Sequence, residues 1–254
     1  MSNKMNTKAI YQPSGKAGEY SAWACNPYVG CPNQCEYCFN RNGRNAAIVG
    51  GTEVRLKKAL GEDEETAYRI FCSELDRVKD QILASGSYLH FTFVSDPCLP
   101  ETIDLTWRCI TFALSQGVPV QVLTKKADWL GHPAVQEALT KYRENLKVGF
   151  TLTGRDDLEP GASTNGDRIN AMRILHDQCG IKTSASNEPI ITPSLSFSMI
   201  QQSMSFCDHY KIGIRSGQRE YTPGDIRDFI RKVTGLGLKS VMWKKSLIAF
   251  AKKP

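Results

Sequence analysis

A chain of 254 residues, 41% hydrophobic and 23% charged, is composed like one folded α/β domain and not like a disordered segment. No apolar run reaches transmembrane length, and the first twenty residues hold no apolar core of a secretory signal, so a cytoplasmic protein without a membrane span is expected. The net charge of +6 permits an anionic partner such as nucleic acid without requiring one, and nine cysteines, an odd number, are expected to stay thiols in a reducing compartment.

Apolar periodicity predicts strands and helices in alternation. Residues 20–25 read as a short strand that runs into a loop rich in Gly, Pro, Asn and Cys. A helix is expected from about 63 to 85, with Ala67, Ile70, Phe71, Leu75, Val78, Ile82 and Leu83 at helical spacing. The acidic run 62–65 suits the positive end of its dipole, and Gly86 ends it. Residues 88–94 predict a buried strand, 101–116 a helix stopped by Gly117, and 118–124 another strand. Pro133 opens a helix with Val135, Leu139 and Tyr142 inward. A strand at 147–153 is followed by a helix that ends at Gly180 and carries Ile169, Met172, Leu175 and Cys179 on one face. Then come a strand at 181–186, a helix from Pro193 and a strand at 209–214. Thr222 and Pro223 cap and open the next helix, with Ile226, Phe229, Ile230 and Val233 inward. Residues 240–250 fit either an appended strand or a short closing helix. The expected division is an N-terminal extension (1–19), the main α/β body (20–238) and a basic C-terminal tail (239–254).

Roughly six β–α units imply a parallel sheet with right-handed crossovers. An open doubly wound sheet and a partial barrel look alike at this level. In both, the chemistry sits at the C-terminal ends of the strands. The cysteine-rich loop follows the first strand, at such an end.

Within that loop, CPNQCEYC places Cys31, Cys35 and Cys38 at x3 and x2 spacing. Three thiolates on one short loop can hold three corners of an iron–sulfur cubane, leaving one iron open to a chelating small molecule. With Cys25 as a fourth ligand the same residues would form a structural zinc site, and the chain would be a non-catalytic metal-binding nucleic-acid module. Cys25 also fits a core position at the end of an apolar strand. His90 and His209 read as core histidines within strands.

The pattern C-x3-C-x-aromatic-C, with Tyr37 as the aromatic, resembles the motif of the radical S-adenosylmethionine (SAM) superfamily. NPYVGCPNQCEYCFNRN (26–42), SDPCLPE (95–101), LTKK (123–126), LEPGASTNGDR (158–168) and EPIITP (188–193) are similar, in order, to the signatures of its spore-photoproduct-lyase-like branch. The resemblance implies a partial (β/α)6 TIM-like barrel of the radical SAM type and a [4Fe-4S] cluster on Cys31, Cys35 and Cys38. It implies SAM, S-adenosyl-L-methionine, on the open iron, cleaved reductively to a 5′-deoxyadenosyl radical. An electron donor such as flavodoxin or ferredoxin would be a partner. Nucleic acid is the first candidate substrate, and a radical SAM activase acting on a protein is the alternative.

The resemblance also implies roles for single residues. Ser95 would contact SAM, with Asp96 beside it, although both also suit a helix cap. Lys125 and Thr151 would lie near the SAM carboxylate, with Thr153 on the face of Thr151. Tyr37 and Phe39 flank Cys38; the backbone around them would hold the adenine, with the Tyr37 ring packed beside it. Glu159 and Arg168 match the signature and read as a structural ion pair. The lyase carries a hydrogen-donating cysteine two residues before the Ser-Asp pair; here that residue is Phe93, and Cys98 is the catalytic candidate in its place. Lys244, Lys245, Lys252 and Lys253 are expected to form a basic tail, either solvated or touching phosphates.

Overall fold

The computed structural model describes residues 8–42, 46–217 and 219–254. The chain begins with β1 (Ile10–Tyr11), α1 (Gly15–Gly18), β2 (Trp23–Cys25) and β3 (Tyr28–Val29). The cysteine loop leads to α2 (Phe39–Asn42), α3 (Ala46–Val49) and β4 (Arg55–Leu56). Alternation follows: α4 (Glu64–Ala84), β5 (Leu89–Phe91), α5 (Ile103–Ser115), β6 (Val120–Thr124), α6 (Pro133–Lys141), β7 (Leu146–Thr151) and α7 (Asn165–Asp177). It closes with β8 (Lys182–Ile190), α8 (Pro193–Ser203), β9 (His209–Ile214), α9 (Pro223–Thr234), β10 (Val241–Trp243) and α10 (Lys245–Ala251).

Local chemistry accounts for the element ends. Asp63 caps α4 by accepting from the Thr66 amide, and Thr222 with Asp225 forms a reciprocal capping box on α9. Pro133, Pro193 and Pro223 each sit in the first turn of a helix, where a missing N–H costs nothing. On α4 the buried stripe is Ala67, Phe71, Leu75, Val78 and Ile82, whereas Leu83, counted with them at helical spacing, is exposed. A buried carboxylate on the same helix, Glu74, accepts the backbone amides of Lys8, Ala9 and Ile10 at 2.5, 2.9 and 3.0 Å. It thereby fastens β1 to the body.

The main sheet has eight strands in the order β1-β2-β5-β6-β7-β8-β9-β10. Within it only β1 runs antiparallel to its neighbour; β2, β5, β6, β7, β8, β9 and β10 are parallel, while β3 and β4 form a separate antiparallel pair. The parallel strands follow chain order without the reversal that a doubly wound sheet shows, so the architecture is that of a barrel. The edge strands β1 and β10 do not pair with each other, so the barrel is partial. Val120, Val122, Val148, Phe150, Ala185 and Ile212 fill the core beneath the helices.

Two expectations change. The strand predicted over 88–94 leaves the sheet after Phe91. There the Phe93 amide donates to Asn26 Oδ1 at 2.7 Å and Asn40 Nδ2 donates to the Phe93 carbonyl at 3.0 Å, so the cysteine-loop side takes over from the ladder. The sheet also runs past both ends of residues 20–238. Residues 239–254 form both alternatives in turn, β10 paired with β9 and then α10. Within this segment Lys244 is fully buried, its ammonium donating to the Lys16 carbonyl at 2.6 Å, so it does not belong to a solvent-facing basic surface.

Candidate active site

The cysteine loop is shaped by backbone constraints. Gly30 takes a positive φ of 80°, and a Cβ there would lie 1.9 Å from the Glu53 carbonyl oxygen, so only glycine fits. The Cys31 amide donates to the Gly51 carbonyl at 2.9 Å and the Cys38 amide to the Cys35 carbonyl at 3.1 Å. A second loop, after β7, braces the first. The Glu36 amide donates to the Leu158 carbonyl at 3.0 Å, and the Gly161 amide to the Asn33 carbonyl at 3.1 Å. A Cβ on Gly161 would meet the Pro32 carbonyl oxygen at 2.3 Å. The Glu-Pro-Gly-Ala stretch is therefore the seat on which the cysteine loop rests.

Above the C-terminal strand ends lies a cavity of about 750 Å³. Cys31, Cys35, Cys38, Tyr37, Phe39, Ser95, Asp96, Lys125 and Thr151 all line it. All nine cysteines are free thiols. Burial, reinforced by the Asp96 carboxylate, pushes the Cys31 thiol up to about 12. Burial also raises Cys35, against the pull of the Lys125 charge. Thiols held protonated in this way must release protons to take a metal.

Asp96 is a hub. Its carboxylate accepts from Asn33 Nδ2 at 3.0 Å, the Lys125 amide at 2.8 Å, Thr124 Oγ1 at 2.6 Å and the Cys98 amide at 3.1 Å. Four donors occupy the acceptor capacity of a carboxylate, so its role is to tie the cysteine loop to the end of β6. Ser95 next to it is different: its hydroxyl is buried with no hydrogen-bond partner, as is Asn33 Oδ1. The Lys125 ammonium lies 5.7 Å from the centre of the Tyr37 ring. Burial works against its charge, but Cys35 and Glu159 outweigh that and its pKa is raised.

Tyr37 heads a buried chain of bonds. Its hydroxyl donates to Glu159, whose other oxygen accepts from Arg168. Arg168 also donates to the Thr151 carbonyl at 2.6 Å. The expected Glu159–Arg168 ion pair thus forms and joins the cysteine loop, β7 and α7.

Two expected residues are not brought to the cavity. Thr153 is fully buried, its amide donating to Asn165 Oδ1 at 3.0 Å and its hydroxyl accepting from the Arg155 amide at 3.2 Å. Cys98 belongs to the hydrophobic core, near Thr124 and Trp107, and burial pushes its thiol well above its ordinary pKa. The turn through Pro97, fixed by the bond from the Cys98 amide to Asp96, carries this side chain behind the site. Phe93 does line the cavity, with its ring centre 4.2 Å from that of His90. Periodicity gave no signal for Lys16, Tyr20, Ser186, Arg215 and Ser216, which form another part of the same wall.

Cys25 is fully buried in β2, between Ile10 and Phe91 of the adjoining strands, and does not reach the cavity. The four-cysteine zinc site is therefore not assembled. Among the described residues no three Cys, His, Asp or Glu side chains converge on one point. A single zinc ion needs its donors about 2.0–2.3 Å from one centre. A four-iron cluster takes one thiolate per corner, and three thiols spread along a cavity wall, with a buried unpartnered hydroxyl beside them, suit that donor set.

No protein-family profile matches the chain. The uncharacterized protein MJ0683 of Methanocaldococcus jannaschii is 26% identical over 196 residues, 74% of this chain and 67% of that protein. Streptococcus suis SuiB bound to S-adenosylmethionine superposes with a TM-score of 0.61 at 15% identity, over 90% of this chain and 51% of SuiB. The chain thus spans about half the length of SuiB. A variant of spore photoproduct lyase with bound AdoMet and dinucleoside spore photoproduct gives a TM-score of 0.60 at 14% identity, over 91% of this chain and 65% of the lyase. The fold is that of the radical SAM enzymes, a partial TIM-like barrel. Among the described residues no helix is long and apolar enough to cross a membrane.

Proposed function

We propose that this chain is a radical SAM enzyme, with a [4Fe-4S] cluster on Cys31, Cys35 and Cys38, and with SAM and a substrate sharing the adjoining cavity. The observation that carries the reading is the opening of these three thiols, and of no other cysteine among the described residues, onto one cavity at the C-terminal edge of a parallel barrel sheet. When bound, a reduced cluster supplies the electron that cleaves SAM to methionine and a 5′-deoxyadenosyl radical.

The chain's residues bind, orient and shield. Lys125 offers a point cation to the SAM carboxylate. The buried Ser95 hydroxyl gains a partner when a polar group of SAM enters. Thr151 borders the same space, while Tyr37 and the exposed ring of Phe39 give it aromatic walls. Glu159 holds the Tyr37 hydroxyl and with it the segment between Cys35 and Cys38. Phe93 covers part of the wall with hydrocarbon, which excludes water from a radical site.

A flavodoxin or ferredoxin as electron donor belongs to this reading, and a cytoplasmic setting suits nine free thiols. Spore photoproduct lyase has been seen with a dinucleoside and SuiB with a precursor peptide, so this fold serves both kinds of substrate. Nucleic acid is our first candidate, from the branch that the motifs resemble and the net charge of +6. The test is anaerobic reconstitution with iron and sulfide, reduction, and addition of SAM. Formation of 5′-deoxyadenosine is expected; none from a protein with an intact cluster would remove the activity.

A further inference from the structure

Part of the cavity wall has no place in cluster or SAM binding as read above. It is built by α1, by the end of β8 and by the loop after β9, and it presents Lys16, Tyr20, Glu188, Arg215 and Ser216. Arg215 is the first residue beyond β9, at the strand end where parallel α/β sheets hold ligands.

The backbone of Arg215 is pinned while its side chain is not. Its amide donates to the Tyr221 hydroxyl at 3.2 Å, its carbonyl accepts from Arg219 Nε at 2.6 Å, and Tyr221 in turn donates to the Ile190 carbonyl at 3.1 Å. The half-buried guanidinium makes no hydrogen bond or ion pair with any described residue. Lys16 is presented in the same way. Lys244 Nζ holds its carbonyl at 2.6 Å, and Glu19 of the same turn accepts the Lys245 amide at 2.9 Å. The Lys16 ammonium makes one bond, to Ser216 Oγ at 2.7 Å, which leaves the Ser216 hydroxyl proton free to donate.

The carboxylate at this end of the cavity, Glu188, is already matched by a buried cation: one of its oxygens lies 3.6 Å from Lys244 Nζ. Beyond that pair, the exposed Lys16 and the half-buried Arg215 bring two further positive charges to the mouth of the cavity. A guanidinium stays charged at any accessible pH and offers a planar fork that pairs with two oxygens at once.

We propose that Arg215 and Lys16, with the Ser216 hydroxyl, bind an oxyanion of the substrate, a phosphate ester or a carboxylate, separate from the SAM carboxylate. The proposal rests on the reading that SAM and substrate share this cavity. The pair positions the substrate and takes no part in bond making, so its contribution is the fixed placement of the reacting carbon.

The experiment is anaerobic calorimetry on the cluster-loaded protein saturated with SAM, with inorganic phosphate and acetate as probes. At least one probe should bind. Arg215→Gln and Lys16→Gln should each weaken it by about tenfold or more, Arg215→Lys should lose less, and SAM affinity should stay within about twofold. The tighter probe distinguishes phosphate ester from carboxylate. Three results would overturn the proposal: neither probe binds beside SAM, Arg215→Gln binds the probe as the parent does, or SAM affinity falls together with anion affinity, which would give the pair to SAM. Anion binding that depends on Arg215 in a protein that forms no 5′-deoxyadenosine would keep this site and remove the catalytic reading alone.

Discussion

Replacing Arg168 by methionine should cost about 3–5 kcal/mol of folding stability, the range for stranding one partner of a buried ion pair. The side chains of Arg168 and Glu159 are both fully buried. In Arg168→Met the Glu159 carboxylate keeps the Tyr37 hydroxyl as its side-chain hydrogen-bond donor and the more distant Lys125 charge, and the Thr151 carbonyl loses a donor now at 2.6 Å. The neighbouring Asp156, 3.5 Å from the guanidinium, is half exposed and keeps its two hydrogen bonds from Asn165 at 2.7 and 2.6 Å, so it adds little. Removing both charges in Glu159→Leu/Arg168→Met leaves no stranded ion, and this double variant should lie at least about 2 kcal/mol above the sum of the two singles. Urea unfolding followed by circular dichroism measures all four corners of the cycle. Because Tyr37 stands between Cys35 and Cys38, Glu159→Leu should also lower iron retention after reconstitution. A single-variant cost under about 1 kcal/mol, or costs that simply add, would refute the argument that this buried chain braces the cysteine loop.

Cys31→Ala, Cys35→Ala and Cys38→Ala should each abolish iron binding while Cys25→Ala keeps it; equal loss in Cys25→Ala, read by iron content and visible absorbance, would undo the ligand assignment. Ser95→Ala and Lys125→Ala should each weaken SAM binding about tenfold or more, the scale of one charge-assisted hydrogen bond, without bleaching the cluster. Lys211, buried and repelled by Lys147 and Lys244, has its pKa lowered to about 7. An unfolded lysine titrates near 10.4, so between about 7 and about 10.4 the unfolded chain binds more protons and stability rises with pH. Below about 7 both states are protonated and this slope vanishes. Denaturation across that window should show the rise, and Lys211→Met should flatten it; an unchanged slope in the variant would reject Lys211 as its source. A spore-photoproduct dinucleotide should not be repaired efficiently, and thymine recovered in good yield would contradict this.

What the chain revealed about itself was local. Apolar spacing located the six strands from β2 to β9 of the main sheet and the helices between them, because burial on one face is written into neighbouring residues, whereas β1 gave no signal. Strand order was not legible: choosing a barrel over a doubly wound sheet depends on which strands pair, as Trp23 does with Leu89 and Leu89 with Val120. The cluster motif was legible because its cysteines are near in sequence, whereas the bond from Tyr37 to Glu159 spans 122 positions. Lys244 misled because a lysine after a strand looks solvated, yet here it is buried beside Glu188. Glu74 gave no warning either, since its partners are backbone amides more than sixty residues upstream.

A site that generates a carbon radical must also govern where the radical ends. The weak S–H bond of a thiol is a ready source of a hydrogen atom, and an aryl C–H bond is not. Among the described residues the only thiols on the cavity wall are the three assigned to the cluster. Phe93 puts a ring where the lyase-like pattern has a cysteine, and that ring is held against His90 and edge-on to Tyr20. Cys98, the nearest replacement in sequence, is turned into the core behind Asp96 and walled off by Trp107 and Thr124. The wall therefore suits a reaction whose product radical is closed by electron transfer, or by return of the hydrogen from 5′-deoxyadenosine. It does not suit one that depends on a thiol at the position of Phe93.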